Sequence, residues 1–113
     1  MERIFICSPF RGNEEENIRL ARQYARFAYD RGFFPVVPHL YFPQFLDEQK
    51  EQERMDGMKM GLSLMLRCRE IWVFGERMSE GMLREISYAV RHGILTRYFS
   101  GADGNFSERS AGR

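Results

Sequence analysis

The chain predicts a single α/β domain: a three-layer, doubly wound (Rossmann- or flavodoxin-like) fold around a four- to five-stranded parallel sheet. Three observations carry that prediction. Short continuous apolar runs, RIFIC at 3–7 and EIWVFG at 70–75, have the signature of strands buried on both faces. Amphipathic helical stretches alternate with such runs, so that strands follow one another through crossovers rather than hairpins. At 113 residues there is room for one core and little more.

The elements follow in order. Residues 3–7 form the first strand, closed by Ser8-Pro9. Asn13 then caps a helix, with Glu16 three residues on completing a capping-box pattern and Glu14 to Glu16 facing the positive helix end. Its apolar stripe is Ile18, Ala21, Ala25 and Ala28, and Gly32 ends it. Residues 33–37 form the second strand, and Pro35 assigns it to a sheet edge because proline donates nothing to a ladder. Residues 38–45 are too rich in proline and aromatics for a strand or a long helix. From the charged stretch 50–54 a helix pattern runs through Met58, Leu62 and Met65 to about Cys68. Six of the seven methionines lie between Met55 and Met82, which suits adaptable packing in a core or a subunit interface. Residues 70–75 make the third strand. Ser79 caps a helix with Met82, Ile86, Ala89 and Val90 on one face, ended by Gly93, and residues 94–99 form a shorter fourth strand. The domain therefore spans 1–99. Residues 100–113, few of them apolar and many Gly, Ser or charged, are expected as a mobile tail.

Composition narrows the function classes. Hydrophobic residues are 43% and charged residues 29%, the balance of a globular domain. A net charge of +1 argues against a nucleic-acid polymer as partner. No apolar run approaches the roughly 20 residues that cross a bilayer, and no signal-peptide pattern opens the chain. Two cysteines, Cys7 and Cys68, both in apolar stretches, fit a reducing cytoplasm better than a disulfide framework. No histidine and cysteine set has metal-ligand spacing, so neither a metal nor a cofactor is expected.

In parallel sheets ligands sit beyond the carboxyl ends of the strands, where strand order reverses. That rule selects three segments: 8–13, 38–41 and 75–85. In the first, Ser8, Arg11 and Gly12 can offer backbone N–H groups and a guanidinium to an anion, or can simply form a capped turn with a surface arginine. In the third, Ser79 and Gly81 open a helix where a hydroxyl and free N–H groups can bind a phosphate or sugar oxygen. Glu85 sits at the edge of that helix's apolar face, where partial burial raises a carboxyl pKa and suits a general acid or nucleophile. The plainer alternative is a boundary glutamate paired with an arginine. His39, at the end of the second strand, suits general acid–base work or a loop hydrogen bond. Cys7 reads as a buried, inert thiol. No G-x-S-x-G elbow supports a serine hydrolase.

IFICSPFRGN at 4–13, the Pro38-His39 pair and the Ser79-x-Gly-x-x-x-Glu85 helix resemble the nucleoside 2-deoxyribosyltransferase superfamily, and within it the deoxynucleoside 5′-monophosphate N-glycosidase branch. The resemblance covers about residues 3–98 and extends to small bacterial and phage-type proteins of that shape. It implies that Glu85 attacks the anomeric carbon, that Ser79 and the first loop hold sugar and phosphate, and that His39 lies in the site. It also implies a homodimer or larger homo-oligomer. Two positions depart from the pattern. Phe5 stands where the branch has a tyrosine, and Gly61 where the family has an aspartate, with Asp56 and Glu70 the nearest acids.

Three functions follow as expectations. The first is an enzyme, hydrolase or transferase, acting at the N-glycosidic bond of a small-molecule nucleoside or nucleotide. The second is a nucleotide-binding or sensing module without chemistry. The third is an oligomeric interaction protein using the Met-rich helix and the Tyr41-Phe42-Pro43 loop.

Overall fold

The computed structural model describes residues 1–110. Its elements are β1 (Arg3–Cys7), α1 (Glu14–Asp30), β2 (Phe34–Val36), the one-turn α2 (Pro38–Tyr41) running into a 3₁₀ turn (Phe42–Gln44), α3 (Glu51–Met65), β3 (Glu70–Phe74), α4 (Glu80–Arg91), β4 (Leu95–Ala102) and β5 (Asn105–Arg109). They form one sheet in the order β2-β1-β3-β4-β5. The first four strands are parallel and the fifth is antiparallel to β4. No helix among the described residues is long and apolar enough to cross a membrane.

Strand alternation divides β1 and β3 between two cores. Ile4, Ile6, Trp72 and Phe74 pack with Tyr24, Phe27 and Ala28 of α1, while Phe5, Cys7, Ile71 and Val73 pack with Met65, Met82 and Ala89 from α3 and α4. The result is the three-layer arrangement expected from the sequence, with β2 at an edge as Pro35 requires.

Two local expectations are corrected. The capping box does not form: Asn13 makes no side-chain cap bond. Glu16 instead takes two hydrogen bonds from Arg19, at 2.7 and 2.6 Å, and Asn17 Nδ2 donates to the Phe10 carbonyl at 2.8 Å. A charge-assisted bidentate pair outcompetes a reach back to a backbone N–H.

The expected mobile tail is strand over residues 105–109; residues 111–113 of it lie outside the described residues. β4 is longer than expected, and β5 returns along it from a tight turn at Asp103-Gly104, both at positive φ (53° and 82°). Phe106 holds the hairpin down by burying its ring beside Phe27 and Phe74. Arg97 joins the strands to the body through Glu108 at 2.9 and 2.7 Å and Glu70 at 3.1 Å. Gly101 is obligatory here, because a Cβ on it would overlap the Asn105 carbonyl.

Candidate functional site

The chain leaves β1 toward β2 on one side and returns to β3 on the other, so the order reverses between β1 and β3. The loops beyond those two strands diverge there and open a crevice. Pro9, two residues past β1, packs near Gly75, which ends β3 at φ 110°. Beside this point lies a cavity of about 480 Å³, walled by the first loop, by α2, and by α3 and the first two turns of α4.

All seven residues singled out in the sequence line this cavity: Ser8, Arg11, Gly12, His39, Ser79, Gly81 and Glu85. Ser8 is 1% exposed, and its Oγ makes no hydrogen bond within the described residues. An unpartnered buried hydroxyl costs about 1–3 kcal/mol, so a hydroxyl left open in a cavity wall is a ready contact for a ligand oxygen or nitrogen. The Ser8 carbonyl lies 3.0 Å from His39 Nε2. A carbonyl accepts only, so Nε2 carries the proton and Nδ1 keeps the lone pair of the neutral ring. Burial pushes the His39 pKa down, opposed by that backbone bond, and the ring stacks on Phe10 with centroids 5.0 Å apart. His39 is thus a neutral imidazole that pins the first loop.

Ser79 caps α4 as the sequence predicts: its Oγ accepts from Met82 N–H at 3.2 Å. Arg84 pairs with Glu80 at 2.7 Å and reaches Met58 Sδ at 3.8 Å, bridging the rim between α4 and α3. Arg11 has neither a hydrogen bond nor an ion pair from its side chain among the described residues, which leaves its guanidinium available to an anion.

Glu85 occupies the second turn of α4, partly buried, with its side chain on the cavity wall. Burial pushes its pKa up to about 7, opposed by a hydrogen bond from the Cys7 thiol. Near neutral pH it is divided between acid and carboxylate, the condition in which one group can serve as nucleophile or as proton donor. The boundary-glutamate alternative, with its arginine partner, is not what forms: Arg84 is engaged by Glu80.

Three further residues belong to the site without any signal in the sequence that places them there. Glu48 and Arg54, from the segment before α3 and its first turn, line the cavity, and Cys7 touches Glu85 from the sheet. Glu48 and Arg54 sit in a stretch with no periodic pattern, so nothing local announces that they face the cavity. Cys7 is legible as buried, but the carboxyl it meets belongs to a distant helix. The two departures from the resemblance also appear in three dimensions. Phe5 is fully buried and brings no hydroxyl, and Gly61 lines the cavity with no side chain, while Asp56 is held by Gln52 at 2.9 Å.

Comparison with known proteins places these observations. The chain belongs to a domain family of unknown function, DUF7768, whose profile matches residues 2–99. Among solved structures it is similar to a 2-deoxyribosyltransferase from Bacillus psychrosaccharolyticus, with a TM-score of 0.71 and 18% identity over 87% of this chain and 72% of that one. That relative is described as a biocatalyst for the synthesis of nucleosides. The fold is therefore that of a 2-deoxyribosyltransferase. A comparison with curated proteins returns no match.

Proposed function

We propose that this DUF7768 domain cleaves or transfers at the N-glycosidic bond of a 2-deoxynucleoside or its nucleotide, with Glu85 as the nucleophile. The observation that carries the reading is Glu85 itself: a carboxyl raised to about 7, on the wall of a cavity at the point where the sheet order reverses. The ionised carboxylate attacks the anomeric carbon. The C–N bond breaks, its electron pair passes to the base nitrogen, and that nitrogen takes up a proton. Water or the nitrogen of a second base then displaces the glycosyl ester and returns the carboxylate.

The surrounding groups have matching roles in this reading. The open hydroxyl of Ser8 bonds a sugar oxygen, and Arg11 and Gly12 close the first loop over the sugar and any phosphate. Ser79 and Gly81 offer the α4 terminus to the same oxygens. His39, neutral with its lone pair on Nδ1, accepts a proton from the attacking water or acceptor. Exposed Met60 and Leu64, one turn apart on α3, support a homodimer or larger homo-oligomer as the working unit.

Chromatography of a deoxynucleoside and deoxynucleoside-monophosphate panel tests the reading. The unmodified protein releases free base, and Glu85→Ala or Glu85→Gln loses at least about a thousandfold in turnover while keeping its fold. Unchanged activity in either variant would rule out the nucleophile.

Phe5 and Gly61 favour a second reading, a nucleotide-binding module without turnover, because the cavity lacks the tyrosine hydroxyl and the aspartate of the similar family. Under it, nucleotides raise the melting temperature without being consumed, by about 2.7 kcal/mol of stability at a hundredfold excess over Kd.

A further inference from the structure

Cys7 is the last residue of β1 and is 0% exposed. It is paired in register with Val73, on the sheet face covered by α3 and α4. Its Sγ lies 3.8 Å from the Met82 carbonyl, and its thiol also hydrogen-bonds the Glu85 carboxyl, one turn further along α4. One proton donor on the sheet therefore faces two acceptors on one side of a helix. An apolar residue would fill the space as well; a donor there does something besides packing.

From this contact we propose that Cys7 is a positioning residue, whose thiol donates to the Glu85 carboxylate and fixes its direction into the cavity. The inference rests on the nucleophilic role given to Glu85 above. Two properties of a thiol fit the task. Burial and the nearby Glu85 hold it protonated, well above its ordinary range, so it remains a donor at working pH and does not compete as a nucleophile. It is also a weak donor, so it orients the carboxylate while leaving burial to dominate its proton affinity. A tyrosine or arginine at that point would hold the charge more firmly and make it a poorer attacking group. The other ionisable groups around the cavity are His39 on α2, Arg11 in the first loop, Glu48 and Arg54 beside and on α3, and Glu80 and Arg84 on α4.

The test is the titration of Glu85, followed by carbon-13 NMR of glutamate-labelled protein and assigned by its loss in Glu85→Gln. It is run on the unmodified protein, Cys7→Ala and Cys7→Ser, with melting curves to confirm that each is folded. Cys7→Ala is expected to raise the Glu85 midpoint, to move the acidic limb of kcat up with it, and to lower kcat about ten- to a hundredfold with little change in KM. Cys7→Ser keeps a donor and returns the midpoint to its original value or below. An unchanged midpoint in Cys7→Ala, or Cys7→Ser titrating together with Cys7→Ala, would overturn the proposal. The titration needs no substrate, so it decides the Cys7–Glu85 link even if the panel above is silent and the glycosidic reading falls.

Discussion

The two faces of the sheet are built from the same strands and have opposite character. Toward α1, the alternate residues of β1 and β3 meet a close-packed set of rings. Phe27 alone lies with its centroid 5.3–6.0 Å from Phe106, Phe99, Phe74 and Trp72. Toward α3 and α4, the intervening residues meet methionines, a thiol, a glycine and an opening. Ile6 and Cys7 are neighbours in the chain, yet one helps to seal a core and the other reaches a carboxyl. Rigidity is concentrated on the face away from the cavity, and adaptable side chains on the face beside it.

Substitutions can break this division or sharpen it. The largest effect is expected at Phe27. Phe27→Ala removes the ring around which the α1 face is assembled and destabilises the fold by about 3–5 kcal/mol, read from urea unfolding. Nucleotide affinity measured well below the transition stays the same. A parallel loss of affinity would mean that the faces are coupled.

Glu85 comes next, through the dependence of stability on pH. Its folded pKa of about 7 lies above the ordinary 4.5, so the folded state binds the proton more tightly. The protein is relatively more stable below pH 4.5 and loses that advantage as the pH rises through 7. Glu85→Gln removes the penalty, and at pH 8 it is expected to exceed the unmodified protein by up to about 3 kcal/mol. The difference closes toward about pH 5. A constant difference across that range would contradict the burial-raised carboxyl.

The smallest effect belongs to Gly61. A Cβ there would make ordinary contact with the Pro38 ring at 3.9 Å, and glycine inside a helix is costly. Gly61→Ala is expected to stabilise by about 0.5–1 kcal/mol in thermal melts. A loss instead would show that α2 and α3 tolerate no added bulk where they meet.

Much of this architecture is legible in the sequence because it depends on local pattern. RIFIC and EIWVF read as buried strands, Pro35 as an edge, and Ser79 as a cap. The strand-end rule, which needs nothing but the order of the elements, gathers Ser8, His39 and Glu85 at one rim. What is not legible depends on competition or distance. Glu16 matches a capping box, but Arg19 lies one turn away and takes it. The β5 hairpin has its cue in Asp103-Gly104, which low apolar content obscures because the strand contributes one buried ring, Phe106. Cys7 can be assigned to the core from its neighbours in the chain, whereas its contact with Glu85 exists once β1 and α4 are brought together.

The hairpin has a consequence for how copies of this chain can meet. It moves the rim of the sheet outward to a strand carrying Glu108 and Arg109, while the opposite rim is β2 with Pro35, which has no N–H to offer. Exposed strand edges invite edge-to-edge polymerisation, and charge and proline are what discourage it. With both rims guarded, fibril-like growth by strand addition is disfavoured at either end, and self-association is directed to the helical faces.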